Sequence, residues 1–391
     1  MINQKTKSLG QNRSKIRDLF EYGKILKDQG KTVCDFTLGN PSVKTPDSVT
    51  AILKDGLEKA DIHAYTQAQG SAKARQKIAS DLNQKGNANF SENGIVITCG
   101  AAGSLCGVFN AITSNPTDEI IVLAPYFPEY KVFIENAGAK FKVVDYVGEF
   151  TPDFNALENA ITKNTVGVVI NSPNNPSGKV YSKDEVCALA SVLNKKAEEF
   201  GSVIYLISDE PYREIVFKNE TLPFIPDFYK DTVICYSFSK SLSLPGERIG
   251  YVAVPTKISE FIDLYASILG SLRAGGHVCA PSLFQYLIEN FNGEYSDFSV
   301  YKNNLDTLLT NLSKLGFTCN EPKGAFYLMV KAPDGDSEKM SELAKELGLL
   351  IVPADSFSAK GWVRLATCVS PTTVQNGILL FEKLAKIYNL I

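Results

Sequence analysis

This 391-residue sequence has few histidines and no paired cysteines. It holds two histidines, and its eight cysteines form no C-x-x-C pair, so neither a zinc site of the usual spacing nor a disulfide framework is present. We expect the thiols to pack as small buried hydrophobic side chains. Because histidine is the commonest general base, any acid–base chemistry must come from Lys, Tyr, Asp or Glu.

A dominant charge and a long apolar run are also missing. Forty Lys and Arg residues oppose 43 Asp and Glu residues, and the net charge of −3 argues against nucleic acid as a partner. Residues 1–14 are polar and basic, and no apolar run follows them. We therefore expect a cytoplasmic protein with neither a secretory signal nor a membrane-spanning helix.

The sequence does contain a regular alternation of strand and helix signals between residues 94 and 254. This order predicts the α/β class, with a large domain whose mostly parallel sheet is covered by helices. Ligands of such sheets bind beyond the C-terminal ends of the strands. The predicted strands are 95–98, 119–123, 140–146, 165–171, 202–208 and 232–237, and the predicted helices are 101–113, 127–137, 182–200 and 258–272.

Near residue 281 the pattern changes to that of a smaller α+β domain. Its predicted helices are 295–315 and 372–388, and its predicted strands are 325–331 and 362–366. The first 45 residues hold one helix, 14–29, and an extended piece, too little to fold alone, and we expect them to complete the small domain. The predicted division is 1–45 for this N-terminal arm, 46–280 for the large domain and 281–391 for the C-terminal small domain.

One lysine stands where a strand is predicted to end. Lys240 follows the 232–237 strand, among hydroxyl residues. A lysine buried there has a lowered pKa and can form a Schiff base with a carbonyl group. Ser237, Ser239 and Arg248 nearby suit a phosphate group. Taken alone, the segment also fits a solvated loop lysine.

A carboxylate and a phenol follow the neighbouring predicted strand. Asp209 would point into the same crevice as Lys240. A buried carboxylate needs a cationic partner, and a protonated pyridine nitrogen would be such a partner. The phenol of Tyr212 could donate to an oxygen of the same ring. The alternative for Asp209 is an N-cap that opens a turn.

Two more strand ends carry suitable groups. Asn175 lies among prolines after strand 165–171, on a path that two X-Pro steps hold rigid. Ala101 and Ala102 open a helix whose free N–H groups suit a phosphate, although plain turns remain the alternative at both places. Nucleotide-binding glycine motifs are absent. Together the four strand ends describe a site for pyridoxal 5′-phosphate (PLP).

These motifs, in this order and over nearly the whole length, resemble those of the fold-type I PLP-dependent aminotransferases of class I/II. The resemblance implies that the large-domain sheet is of the seven-stranded type and that Lys240 is the Schiff-base lysine and general base. It implies that Asp209 pairs with the pyridinium nitrogen and that Tyr212 and Asn175 bond the phenolic oxygen. The other implied cofactor contacts are Ala101, Ala102, Phe127, Ser237, Ser239, Arg248 and, across a dimer interface, Tyr65.

The resemblance also implies substrate contacts, one of them from Asn175. Arg364 matches the arginine that grips the substrate α-carboxylate, and Gly39 lies in the turn that matches the N-terminal substrate loop. Arg273, 33 residues after Lys240, stands near where dicarboxylate-specific relatives place an arginine for the distal carboxylate. A solvated helix-end arginine is the alternative, so the sequence favours aspartate or glutamate only slightly.

The implied activity is transamination: an amino group moves from an L-amino acid to a 2-oxo acid, in ping-pong order, in a homodimer. A β-eliminating C–S lyase shares this fold and most of these residues and stays open as an alternative. A PLP-binding regulator would need an added DNA-binding domain, for which the 38 residues before Gly39 are too few. A structural scaffold would not need these polar groups at strand ends.

Overall fold

Helices and strands alternate along most of the chain, and the computed structural model describes residues 2–11, 15–217 and 219–391. In these residues the helices are α1 (Gln4–Gln11), α2 (Lys15–Asp28), α3 (Asp47–Leu57), α4 (Ala72–Asn83), α5 (Gly100–Ile112), α6 (Glu129–Asn136), α7 (Phe154–Ala160), α8 (Lys183–Phe200), α9 (Phe238–Ser241), α10 (Phe261–Ala274), α11 (Ser282–Asn290), α12 (Ser299–Lys314), α13 (Ser337–Glu346) and α14 (Pro371–Ile387). The strands are β1 (Cys34–Asp35), β2 (Ile95–Thr98), β3 (Glu119–Leu123), β4 (Lys140–Val144), β5 (Tyr146–Val147), β6 (Thr151–Pro152), β7 (Thr165–Asn171), β8 (Tyr205–Asp209), β9 (Thr232–Ser237), β10 (Gly250–Ala253), β11 (Tyr327–Lys331), β12 (Leu349–Leu350), β13 (Val352–Pro353) and β14 (Trp362–Ala366). None of the helices described here is long and apolar enough to cross a membrane.

The central sheet has seven strands in the order β2-β10-β9-β8-β7-β3-β4. Neighbouring strands are parallel except around β10, which runs antiparallel to both β2 and β9. The strands are runs of buried, largely β-branched residues, as expected where helices cover both faces. The predicted α/β class with a mostly parallel seven-stranded sheet is confirmed.

Alternate residues of a strand face opposite helical layers. In β7, Val169 packs in a core with residues of α5, α6 and α10, whereas Val168 and Ile170 pack in one with residues of α7 and α8. Farther along the sheet, α3, α4 and α11 cover Ile95 and Ile97 of β2. Because β2, β7, β8 and β9 point the same way, their C-terminal ends share one edge of the sheet.

A second core lies beside the central sheet. It is built on an antiparallel sheet of order β11-β14-β13, against which α12 and α14 pack. The N-terminal segment joins it, since β1 pairs in parallel with β12 and Phe36 is buried among residues of the C-terminal segment. The domain boundaries at residues 45 and 280 themselves stay a prediction.

The cysteines are all free, but they are not all buried. The prediction of buried thiols is correct for Cys34, Cys235 and Cys368 and wrong for Cys99 and Cys187, which are exposed. Cys99 precedes α5 at the open edge of the sheet, and Cys187 lies outside the buried stripe of α8. The half-buried thiols are Cys106, Cys279 and Cys319.

Candidate active site

A cavity of about 470 Å³ opens at the C-terminal edge of the central sheet. This volume suits a small-molecule ligand. It brings together twelve of the residues predicted from the sequence: Gly39, Ala101, Ala102, Phe127, Asn175, Asp209, Tyr212, Ser237, Ser239, Lys240, Arg248 and Arg364. Residues that are far apart in the chain meet here because the parallel strands end at this edge.

Asp209 ends β8 and is buried at the floor of the cavity. Its Oδ2 accepts a hydrogen bond from the Tyr130 hydroxyl, and its main-chain oxygen accepts one from the Asn171 amide at 2.8 Å. Its Oδ1 is buried and has no partner among the described residues. Burial raises the pKa of Asp209 to about 7. A cationic N–H donor in the cavity would satisfy Oδ1 and keep the carboxyl group ionised.

Lys240 lies in the short helix α9, directly after β9. Its Nζ donates a hydrogen bond to the Gly39 carbonyl oxygen at 2.6 Å. Desolvation lowers the pKa of Lys240 to about 8, and the positive charges of Arg248 and Arg364 act in the same direction. A substantial fraction of this amine is therefore neutral, and nucleophilic, just above neutral pH.

One end of the cavity carries the donors expected around a phosphate group. The hydroxyls of Ser237 and Ser239 are 2.7 Å apart, and Arg248 Nη1 donates to the Ser239 hydroxyl at 3.3 Å. The first turn of α5 lines the same cavity through Ala101 and Ala102, whose sequence positions leave the N–H groups without helical acceptors. Hydroxyls, a guanidinium and a helix N-terminus together suit a phosphate dianion.

The opposite wall holds a buried guanidinium. Arg364 in β14 is 2% exposed; its Nη1 donates to Asn175 Oδ1 at 3.1 Å and its Nη2 to the Thr37 carbonyl oxygen. Its Nε has no partner, and no ion pair found among the described residues includes it. A buried cation without a carboxylate is costly, so Arg364 is ready to bind an anion that enters the cavity.

Two tyrosines connect these groups. The Tyr212 and Tyr327 hydroxyls are 2.9 Å apart, and the Arg364 guanidinium lies 4.6 Å from the centre of the Tyr327 ring. Burial raises the pKa of the Tyr212 phenol well above its usual value. Tyr212 therefore faces the cavity as a neutral hydrogen-bond donor.

The polar groups of the cavity fit pyridoxal 5′-phosphate. The unpartnered Oδ1 of Asp209 suits its ring N–H, and the donors around Arg248 suit its phosphate. Lys240 offers the amine for its aldehyde, and Phe127 offers an apolar ring on the cavity wall. All of these residues belong to the set predicted from the sequence motifs.

Comparison with known proteins decides the family. Residues 31–379 match the family model described as aminotransferase class I and II. The chain belongs to this family. As in the rest of the family, its cofactor is pyridoxal 5′-phosphate, and it is a transaminase acting on amino and 2-oxo acids.

Curated relatives and solved structures cover almost all of this aminotransferase. An aspartate aminotransferase of Thermotoga maritima is 29% identical over 91% of this chain and 92% of that protein. A probable N-acetyl-LL-diaminopimelate aminotransferase of Bacillus subtilis is 30% identical over 90% of this chain and 88% of that protein. The structure of an aminotransferase from Eubacterium rectale is 46% identical, with a TM-score of 0.96, and covers 100% of this chain and 99% of that one.

Several residues that line the aminotransferase cavity or contact its lining residues were not predicted from the sequence. Tyr130 follows Phe127 by three residues, and their rings meet edge to face at 5.7 Å, so helical spacing was an available signal. Asn171 ends β7 as Asp209 ends β8, which was a second signal. Tyr327 and Arg17 also line the cavity, but their sequence contexts carry no sign of it.

Two predicted residues lie outside the cavity of this chain. Tyr65 is 88% exposed, the position expected of a side chain that serves a partner's site. Arg273 is exposed in the last turn of α10, and it does not line the cavity. Both assignments stay predictions.

Proposed function

We propose that this aminotransferase uses Lys240, Asp209 and Tyr212 as its catalytic group and takes a dicarboxylic amino acid as one substrate. The observation that carries the proposal is that one cavity holds both the Lys240 amine and the Arg364 guanidinium, whose Nε has no partner among the described residues. An amino acid whose carboxylate binds Arg364 has its α-carbon held near the lysine. Because the two groups share the cavity, the charge of Arg364 adds to the desolvation that lowers the pKa of Lys240.

The cofactor would be held at its phosphate and at its ring. Ser237, Ser239, Arg248 and the amide groups of Ala101 and Ala102 would bind its phosphate, and Phe127 would stack on its ring. Asp209 would hold the proton on the ring nitrogen, and Tyr212 and Asn175 would contact the ring oxygen. When bound, the cofactor supplies an electron sink that stabilises the carbanion formed at the substrate α-carbon.

Lys240 would move the proton of the reaction. In its neutral form Nζ takes the proton from the substrate α-carbon, and in its charged form it returns one. The neutral Tyr212 phenol would donate a hydrogen bond throughout, because its pKa is raised. Gly39 would lie against the substrate, since its carbonyl already accepts from Lys240 Nζ and a Cβ there would strike Tyr327.

The support for a dicarboxylic amino acid comes from the names of relatives. Relatives named aspartate aminotransferase favour a dicarboxylic substrate. Others at similar identity are named for N-acetyl-LL-diaminopimelate or for prephenate as well as aspartate. These names differ, so the chemistry of this cavity must decide the substrate.

We also propose a homodimer in which Tyr65 reaches the partner's site. Tyr65 and two other large apolar side chains, Ile262 and Val278, are strongly exposed. Ile262 lies in α10, and an open groove of about 940 Å³ runs between α5 and α10. A partner chain that covered these side chains and this groove would remove exposed apolar surface from water.

A panel of amino acids added to the purified holoenzyme tests the activity. Visible absorption follows the cofactor, and mass spectrometry identifies the products. We expect a spectral change and release of the matching 2-oxo acid, both absent in Lys240→Ala. Release of pyruvate and ammonia from a β-substituted amino acid, without transamination, would instead indicate a C–S lyase.

A further inference from the structure

The guanidinium of Arg17, at the mouth of the cavity, takes part in none of the cofactor and substrate contacts proposed above. Arg17 in α2 lines the cavity beside Ile16 and Leu38, and its side chain is exposed. No ion pair found among the described residues includes it. The other two cavity arginines already have proposed roles: Arg248, bonded to the Ser239 hydroxyl, faces the phosphate, and Arg364, bonded to Asn175 and Thr37, faces the α-carboxylate.

The position of Arg17 is set by the packing of α2 against residues of the C-terminal segment. Leu19, two residues further along α2, is buried in a cluster with Met329 and Phe357. At the first residue of α2, Lys15 forms an ion pair with Glu338 at 3.0 Å. These contacts hold the first turn of α2 at the cavity, so Arg17 is presented by an anchored helix.

The charges around the cavity leave Arg17 available for an anion. Among the described lining residues the only carboxylate is Asp209, which lies on the floor at the end of β8. Asp18, next to Arg17 in α2, does not line the cavity. An anionic side chain of a substrate would therefore meet Arg17 without competition from an acidic group on the wall.

We propose that Arg17 binds the side-chain carboxylate of a dicarboxylic amino acid while Arg364 binds its α-carboxylate. This inference rests on the proposed function and names the residue that sets its substrate class. It differs from the prediction made for Arg273, which lies outside the cavity of this chain. A guanidinium is well suited to the task, since it can bond both oxygens of a carboxylate.

Substitution of Arg17 tests the proposal with two substrates that differ in the distal carboxylate. For Arg17→Gln we expect kcat/KM for aspartate to fall about 10- to 100-fold, the size of a lost charge-assisted hydrogen bond. The value for alanine should stay within about twofold, and Arg17→Lys should restore part of the aspartate activity. Lys24→Gln, which removes an exposed cation of the same helix outside the cavity, is the matched control.

A binding measurement gives a second readout that does not depend on turnover. Calorimetry of the holoenzyme should show that succinate binds more tightly than butyrate, and that Arg17→Gln removes the difference. Equal losses for aspartate and alanine would reduce Arg17 to a structural role. If Arg273→Gln, and not Arg17→Gln, lowers kcat/KM for aspartate but not for alanine, then Arg273 binds the distal carboxylate. If the holoenzyme transaminates alanine but binds succinate no more tightly than butyrate, only this inference is overturned. If it transaminates no amino acid, the proposed function is overturned as well.

Discussion

At the scale of single residues, burial moves two pKa values of the cavity toward each other. It lowers that of Lys240 to about 8 and raises that of Asp209 to about 7. Both pKa values thereby lie near physiological pH. Such values suit a group that exchanges protons or pairs with a titrating ligand. The rigid surroundings that cause these shifts come from the strand ends.

The first prediction concerns the pH dependence of cofactor attachment. Because the lowered pKa makes Lys240 neutral above about 8, covalent attachment of added cofactor to the cofactor-free protein should speed up about tenfold between pH 7 and 9 and then level off. Stopped-flow absorbance measures the rate. A rate that climbs without levelling up to pH 10 would contradict the lowered pKa, and Lys240→Arg should bind the cofactor without attaching it.

The second prediction concerns the charge of Asp209. Asp209→Asn removes the carboxylate while it keeps the shape of the side chain, so we expect kcat to fall by about 10²- to 10³-fold with the cofactor still bound. Tyr130→Phe, which removes one hydrogen bond to this carboxylate but not its charge, should cost about tenfold or less. Steady-state kinetics and the bound-cofactor spectrum check both, and equal losses in the two variants would contradict the role of the charge.

Several predictable residues of the site lie at or just past the ends of strands that the sequence itself reveals. Asp209 ends β8, Lys240 lies three residues after β9 and Asn175 four residues after β7, so the topology of the sheet predicts that they meet. Arg17 and Tyr327 reach the same cavity through tertiary packing of distant segments, which local sequence does not encode.

At the scale of elements, the turn between β2 and α5 shows why glycine is required at one position. Gly100 has a φ of +78°, and a Cβ there would lie 2.6 Å from Arg248 Nη2. Any side chain at this position therefore strains the backbone and pushes on the arginine proposed to hold the phosphate. The close approach links the geometry of the turn to cofactor binding.

The third prediction follows from that turn. Gly100→Ala should weaken cofactor binding about tenfold or more and lower the free energy of unfolding by about 1 kcal/mol or more. Gly246→Ala is the matched control, because Gly246 lies in the loop that leads to Arg248 and a Cβ there meets nothing within 4 Å. Cofactor titration and thermal unfolding measure the effects, and similar behaviour of the two variants would argue against the strain.

Local sequence signals predicted some elements to the residue and missed others. The strand predicted over 165–171 is confirmed to the residue as β7, and the helix predicted over 14–29 is α2, with residue 14 outside the described residues. Strand β10 was missed, since it has four residues and begins with glycine. Helices α3 and α4 were also missed, although the apolar residues of each helix recur on one face.

At the scale of the whole molecule, the pairing of β1 with β12 joins segments more than 300 residues apart. Cys34 lies opposite Leu349, and this contact has no counterpart in local sequence patterns. The first 45 residues are nevertheless too few to fold alone, which predicts that they pack against another segment. Through this packing the N-terminal segment carries both Gly39 and Arg17 to the cavity.

The fourth prediction concerns the proposed dimer. We expect the protein to sediment at about twice the 42.7 kDa of one chain. Gly270 lies in α10 beside the open groove, and a Cβ there meets nothing within 4 Å, so Gly270→Arg leaves the fold of the chain intact but places a bulky charge on the proposed interface. It should yield monomers and lower activity at least tenfold, because Tyr65 would no longer reach a partner's site. Leu379→Arg, at an exposed position of α14, should leave both unchanged. A fully active monomer would show that each chain completes its own site.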